Sequence, residues 1–279
     1  MDGIIPVNKP SGITSHDLVQ KARKKLGTSR IGHTGTLDPL AEGLMILTVG
    51  KATKILPFLS HCFKEYVATM KLGIRTDTLD VTGEVLETAD VREYDDETIN
   101  GILQSFLGDS LQMPPMYSAK KVNGKKLYEL ARKNREIERP KQPITVREME
   151  LLSHHGNVII FRTVCSTGTY VRVLIEDIAE KLGTVAVMSA LKRTAIDRYL
   201  LEDACQIDQL DENVRLISAY EALNNYHYVE VEDISDVMNG KPLKLDEDLP
   251  DTVMITHEGE VLACYERQNG MFYCRRGLW

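Results

Sequence analysis

Residues 64–72 alternate cleanly: Tyr66, Ala68, Met70 and Leu72 fall on one face, and Glu65, Val67, Thr69 and Lys71 on the other. That period of two predicts a strand with one buried side. Leu44 to Val49 is instead a continuous apolar run, the pattern of a strand buried on both faces. Leu18, Val19, Ala22 and Leu26 recur at helical spacing behind Thr14 and Asp17, a capping-box pair, with Gly27 as the stop. Ile99, Ile102, Leu103 and Phe106 predict a second helix behind the acidic start Asp95-Asp96. Val171, Leu174, Ile175, Ile178 and Leu182 predict a third, closed by Gly183, with Arg172 in its first turn and off the apolar stripe. The opening Ile4–Pro10 reads as a short extended element, Lys51–Phe58 as helical, and 144–165 as two strands around Gly156-Asn157.

Residues 109–145 break the pattern, with prolines at 114, 115, 140 and 143 around a basic stretch. They read as a long loop with one short helix near 127–133, a kind of insertion that is usually functional. Helices and strands follow one another without a βαβ period, so the fold class is α+β. Past residue 222 the texture changes to short strands, with a hairpin signal at Asn269-Gly270. Two domains are expected, 1–222 and a small β-rich 223–279.

The net charge of −7 argues against a nucleic-acid partner, but its distribution reverses the argument. Residues 9–54 hold eight Lys/Arg against three Asp/Glu, and 117–143 hold nine against three. Residues 201–255 hold three against fourteen, so two basic segments stay available to phosphate. Solvated charged faces would give the same counts. Five scattered cysteines without a C-x-x-C spacing indicate reduced thiols in the cytoplasm, not a zinc site or a redox pair. The N-terminus lacks the basic flank and apolar run of a signal peptide, and no membrane span is expected.

The densest chemistry lies in Gly32-His33-Thr34-Gly35-Thr36-Leu37-Asp38-Pro39-Leu40-Ala41-Glu42-Gly43. Pro39 biases Asp38 toward extended backbone, and small residues surround it, so one carboxylate can be presented in one direction. An ordinary Asp-Pro turn fits the same residues. This loop resembles the catalytic-aspartate motif of the TruB family of RNA pseudouridine synthases. Four more segments match that family in order: Lys9–Ser15, Lys64-Glu65-Tyr66 with Leu72–Asp80, Gln112–Lys121 with Leu127-Tyr128-Glu129, and Cys165–Arg172.

The resemblance implies a pseudouridine-synthase fold, with a central mixed or antiparallel sheet flanked by helices and a small C-terminal β-rich PUA-like domain. It implies isomerisation of uridine in the T-loop of tRNA: uracil leaves its ribose, rotates and rejoins through carbon 5. Asp38 would act at the glycosidic carbon, much as carboxylates do in glycoside hydrolysis. Arg172 would keep it ionised, and Tyr66 would stack on the base and assist proton transfer. For Tyr66 a purely core role fits the alternation equally well, and for Arg172 so does a surface ion pair. Tyr170 and Leu191 would line the base pocket, and His33 would meet the RNA beside the flipped nucleotide. Lys9, Lys120, Lys121, Lys125 and Lys126 would grip phosphates. Neither cofactor nor metal is implied.

The implied partner is the tRNA T-arm stem-loop, met by a monomer without a guide RNA, since the catalytic motifs begin almost at residue 1. Two departures touch expected RNA contacts: Ala195-Ile196-Asp197-Arg198 stands where the family has a basic residue and Gly-Pro, and Pro140-Lys141-Gln142 follows Arg139. A different reading of the same residues is a tRNA-binding folding chaperone whose catalysis is secondary.

Overall fold

The computed structural model describes residues 1–279 apart from 60–61, 123, 134, 136 and the side chain of Lys126. In chain order the main elements of the body are β1 (Gly3–Lys9), α1 (Ser15–Lys25), β2 (Glu42–Val49), β3 (Phe63–Leu72), α2 (Asp96–Gln104) and β4 (Gly108–Gln112). They continue with β5 (Gln142–His155), β6 (Val158–Ser166), α3 (Val171–Leu182), β7 (Ala186–Ile196) and β8 (Cys205–Gln206). The strands form one mixed sheet in the order β8-β1-β2-β7-β3-β6-β5-β4. The β8–β1 and β2–β7 pairs are parallel and the rest antiparallel. This is the α+β architecture that the irregular alternation predicts.

The pattern of each strand states what covers it. Along β3 every second residue from Lys64 to Leu72 is buried, as the alternation requires. In β2 seven consecutive residues are buried because the sheet is covered on both sides there. Met45, Leu47 and Val49 join the core beneath α1 and α3. Leu44 and Ile46 join Ile4 in a second cluster with Met254, Val261, Cys264 and Leu278 from the C-terminal strands.

Those strands are β9 (His227–Glu230), β10 (Thr252–His257), β11 (Glu260–Gln268) and β12 (Met271–Gly277), which form a separate four-stranded sheet. Asn269 and Gly270 turn the last hairpin with positive φ. The five cysteines are free thiols. Among the described residues no helix is long and apolar enough to cross a membrane.

The helix ends follow their expected chemistry. Thr14 caps α1 through the reciprocal pair with Asp17, Asp95 caps α2, and Gly183 closes α3 in the left-handed region. The insertion is shorter than expected. Its two ends are strands that pair with each other, Gly108 opposite Val146 through Gln112 opposite Gln142. Pro143, which reads as a breaker, sits second in β5, where a missing amide donor is tolerated. Between Gln112 and Gln142 the described residues are irregular apart from a two-residue hairpin (Lys121–Val122 with Lys125–Lys126) and a short helix at Leu127–Ala131.

One glycine ties sheet and site together. Gly43 has φ +109, and a Cβ there would stand 2.3 Å from the Arg193 carbonyl oxygen across the β2–β7 pair. Gly43→Ala should therefore lower thermal stability, with about 1–3 kcal/mol from backbone strain alone and more from the clash. An unchanged melting temperature would contradict this packing.

Candidate active site

Asp38 lies on the loop between the short strand Ile31–His33 and β2, and the N-terminal segment holds that loop carbonyl by carbonyl. The Ser15 hydroxyl donates to Leu37 O (2.9 Å) and accepts from Leu37 N (2.8 Å). Gly12 N donates to Pro39 O (2.8 Å), and Ser11 Oγ donates to Leu40 O (2.8 Å). Lys9 Nζ donates to Ala41 O (2.6 Å) and Pro10 O (3.0 Å). Leu37 and Ala41 are buried on either side, so the loop is anchored at both ends while the Asp38 side chain stays 34% exposed.

That side chain meets Arg172, whose Nε lies 2.9 Å from Asp38 Oδ2. The guanidinium is itself buried and fixed at two more points, donating to Thr78 O (2.7 Å) and Tyr117 O (2.8 Å). Asp80 Oδ2 stands 4.0 Å from Arg172 Nη1. The other oxygen of Asp80 accepts from Thr78 Oγ1 (2.9 Å), Thr82 N (3.0 Å) and Thr82 Oγ1 (2.5 Å). Burial pushes the Asp38 carboxyl above the usual aspartate range, and the Arg172 charge pulls it back down. Arg172 is thus the nearest fixed cation that favours the charged form of Asp38, with Lys9 a second, weaker one.

Asp38 and Arg172 stand on the wall of a cavity of about 270 Å³ with Tyr66, Tyr170 and Leu191. Tyr66 comes from β3 and Leu191 from the neighbouring β7, on the same buried face. Tyr170 immediately precedes α3 and is clamped by Gln112, which accepts from its N–H (2.7 Å) and donates to its carbonyl (3.1 Å). Burial raises the Tyr66 hydroxyl above its ordinary 10, so at neutral pH it is a phenol. It can stack on a base and exchange a hydrogen bond, but not act as a phenolate.

The structure thus brings together Asp38, Arg172, Tyr66, Tyr170 and Leu191, and adds Lys120 at the rim. Lys120 Nζ donates to Gln142 Oε1 (2.5 Å), and Gln142 Nε2 donates to Gly168 O (2.5 Å). The residue that departs from the family pattern at 142 therefore pins the insertion against the cavity.

The other departure, Asp197-Arg198, is the turn of a hairpin from Ile196 to Tyr199, and Arg198 is occupied by Glu221 O, Asn224 Oδ1 and Tyr199 OH.

Lys9 is a correction. It is fully buried, with its ammonium on two backbone carbonyls, and offers nothing to an RNA phosphate. Burial lowers it to about 8, and its charge is spent on the Asp38 loop. His33 lies outside the cavity wall, half-buried, and its Nδ1 accepts from Gly35 N (3.3 Å). Burial lowers its pKa, which leaves the ring neutral at pH 7, able to stack but not to bind phosphate as a cation. Lys121 and Lys125 are exposed on the small hairpin, away from the cavity wall. The side chain of Lys126 lies outside the described residues.

Lys64, Asp80 and Arg193 had no role at the sequence level. Two of them carried a signal: Lys64 shares the parity of Tyr66, and Arg193 that of Leu191, so each puts a charge on an apolar strand face.

Comparison with known proteins places the chain in one family. The sequence profile of the TruB family pseudouridylate synthase N-terminal domain matches residues 23–171, and that of the tRNA pseudouridylate synthase B C-terminal domain matches 172–227. The chain is 42% identical to tRNA pseudouridine synthase B of Oceanobacillus iheyensis, over 95% of this chain and 93% of that protein. It is 37% identical to the Mesoplasma florum protein of the same name, over 99% and 97%. Among solved structures, the archaeal box H/ACA sRNP Nop10-Cbf5 complex contains a chain that superposes with a TM-score of 0.73 at 22% identity, covering 99% of this chain and 86% of that one. This last likeness is one of fold.

Proposed function

The chain belongs to the TruB family of pseudouridine synthases, and from that premise we propose that it isomerises uridine to pseudouridine in the T-loop of tRNA, with Asp38 acting at the glycosidic carbon. The observation that carries this reading is the Asp38 carboxylate at 2.9 Å from Arg172, on the wall of a cavity lined by Tyr66, Tyr170 and Leu191. A uridine in a stem-loop must leave its stack to reach such a cavity, and two aromatic rings and a leucine replace part of the stacking that it loses. Uracil leaves C1′ with the bonding electrons while Asp38 bonds or balances the sugar carbon. The base turns within the cavity and C5 takes the place of N1, later giving up its proton.

In this reading Lys121 and Lys125 meet backbone phosphates, and the four-stranded C-terminal sheet is a PUA-like RNA-binding unit. The protein works as a cytoplasmic monomer, without cofactor or guide RNA.

Tritium release from a T-arm stem-loop labelled at uracil C5 tests the proposal. The expected result is release with a rate that falls on the acid side. Asp38 must be ionised, and burial places its pKa above 3.8, so the rate drops as the pH passes down through that raised value. No release despite tight binding would overturn the proposal in favour of the chaperone reading.

A further inference from the structure

The buried charged side chains among the described residues all belong to this site: Lys9, Lys64, Asp80, Arg172 and Arg193. Four are cations and one is an anion. Asp38 and Asp80 stand against Arg172, and Asp38 and Glu42 also balance Lys9. Among the described residues Lys64 and Arg193 have no such carboxylate partner. Lys64 is 7% exposed, and among the described residues its Nζ finds only Thr34 O at 3.4 Å. Arg193 is 1% exposed, donates to Leu44 O (2.6 Å) and Gly35 O (3.3 Å) and interacts with the neutral Tyr66 hydroxyl, while among the described residues its buried Nη1 makes no hydrogen bond of good geometry. Cys165, opposite Lys64 in the sheet, is no counter-ion, since burial pushes its thiol up to about 11.

The two cations converge in front of Gly35. A Cβ on that residue would stand 2.7 Å from Lys64 Nζ and 3.9 Å from Arg193 Nη1. Lys64 lines the same cavity as Asp38, and Arg193 stands behind it with its guanidinium 6.0 Å from the Tyr66 ring centre. Two uncompensated buried charges are costly to fold, which asks for an anion that arrives later. A phosphate would have to carry the RNA backbone onto the cavity floor, whereas the base enters it in the proposed reaction.

We propose that Lys64, backed by Arg193, is the anion subsite that takes a uracil carbonyl oxygen as negative charge develops on the base. The assignment deepens the pseudouridine-synthase reading and rests on it. When the C1′–N1 bond breaks, its electron pair goes to N1, and the charge spreads over N1, O2 and O4. Asp38 bonds C1′ or faces it as a cation, so one negative charge passes from the Asp38 end of the cavity to the Lys64 end. No proton moves in this step. When C5 bonds C1′, Asp38 regains its charge; C5 then gives its proton to solvent and N1 takes one. Burial lowers Lys64 to about 8, which leaves it protonated at neutral pH and unquenched for the base.

The test is Lys64→Met on two T-arm stem-loops, one with uridine and one with 5-fluorouridine at the target. Single-turnover loss of the N-glycosidic nucleoside is read by chromatography after digestion. Fluorine at C5 itself supports negative charge on the ring, so that substrate needs the cation less. The expected result is a rate about 10²–10³-fold lower on uridine, with a loss at least about tenfold smaller on 5-fluorouridine. RNA affinity should stay within threefold, and the melting temperature should not fall, because a desolvated charge has been removed. Lys64→Gln gives a second variant with the same expectation. Equal losses on both substrates, an unchanged rate, or a loss confined to RNA affinity would overturn the subsite while the wild type remains active. A wild type inert on the uridine stem-loop would overturn the T-loop reading and this assignment with it.

Discussion

Asp38→Asn should abolish turnover, by at least on the order of 10⁴-fold, while tRNA binds within a few-fold of wild type. The amide keeps the shape of the side chain but can neither bond the sugar carbon nor balance a cation there. The loop should persist, because it hangs on Ser15, Gly12, Ser11 and Lys9, each of which grips a backbone atom and not the Asp38 carboxylate. The cavity wall should persist as well, since Tyr66 and Leu191 belong to the central sheet. Single-turnover tritium release and filter binding on one preparation separate chemistry from affinity. A folded Asp38→Asn variant that no longer binds RNA would place Asp38 in recognition, and one that still releases tritium would remove it from the chemistry.

The strands and helices were legible where local pattern and tertiary environment agree. The alternation of β3 from Glu65 to Leu72, the apolar run of β2 and the caps of α1 and α3 each report directly on burial or on backbone geometry. The edges of the insertion were not legible, because the strands at 108–112 and 142–145 are stabilised mainly by one another. Gly108, Asp109, Ser110 and Leu111 are exposed and carry no period. At the site, Asp38 and Arg172 were readable only through the family motifs, since they lie 134 positions apart and no spacing rule joins a loop to the first turn of a distant helix. Lys9 misled because a lysine beside a proline near the N-terminus looks solvated, whereas the loop closes over it. Lys64 and Arg193 show the opposite case. Each broke the local pattern, and a broken pattern on a core strand often marks a functional group.

Arg172→Met should cost both activity and stability, and its signature should be a shift in pH dependence. The wild-type guanidinium does three jobs: it opposes the charge of Asp38, and it satisfies Thr78 O and Tyr117 O. Without it the Asp38 carboxylate keeps its desolvation and loses the largest influence that lowers its pKa. The acid limb of the single-turnover profile should therefore move to higher pH. At neutral pH the rate should fall by about 10²–10³-fold, the scale of a lost charge contact in a partly dry site. Stability should drop by about 3 kcal/mol, the lower end for breaking a buried pair, because Asp38 is 34% exposed and can take up a proton. Arg172→Lys should recover less than its charge suggests, since one ammonium cannot reach Asp38, Thr78 O and Tyr117 O together in the guanidinium's geometry. A rate profile measured between pH 4 and 9 beside urea denaturation decides the matter. A large rate loss with an unmoved acid limb would make Arg172 a strut for the loops of Thr78 and Tyr117, and Asp38 would then owe its ionisation to its solvent contact and to Lys9.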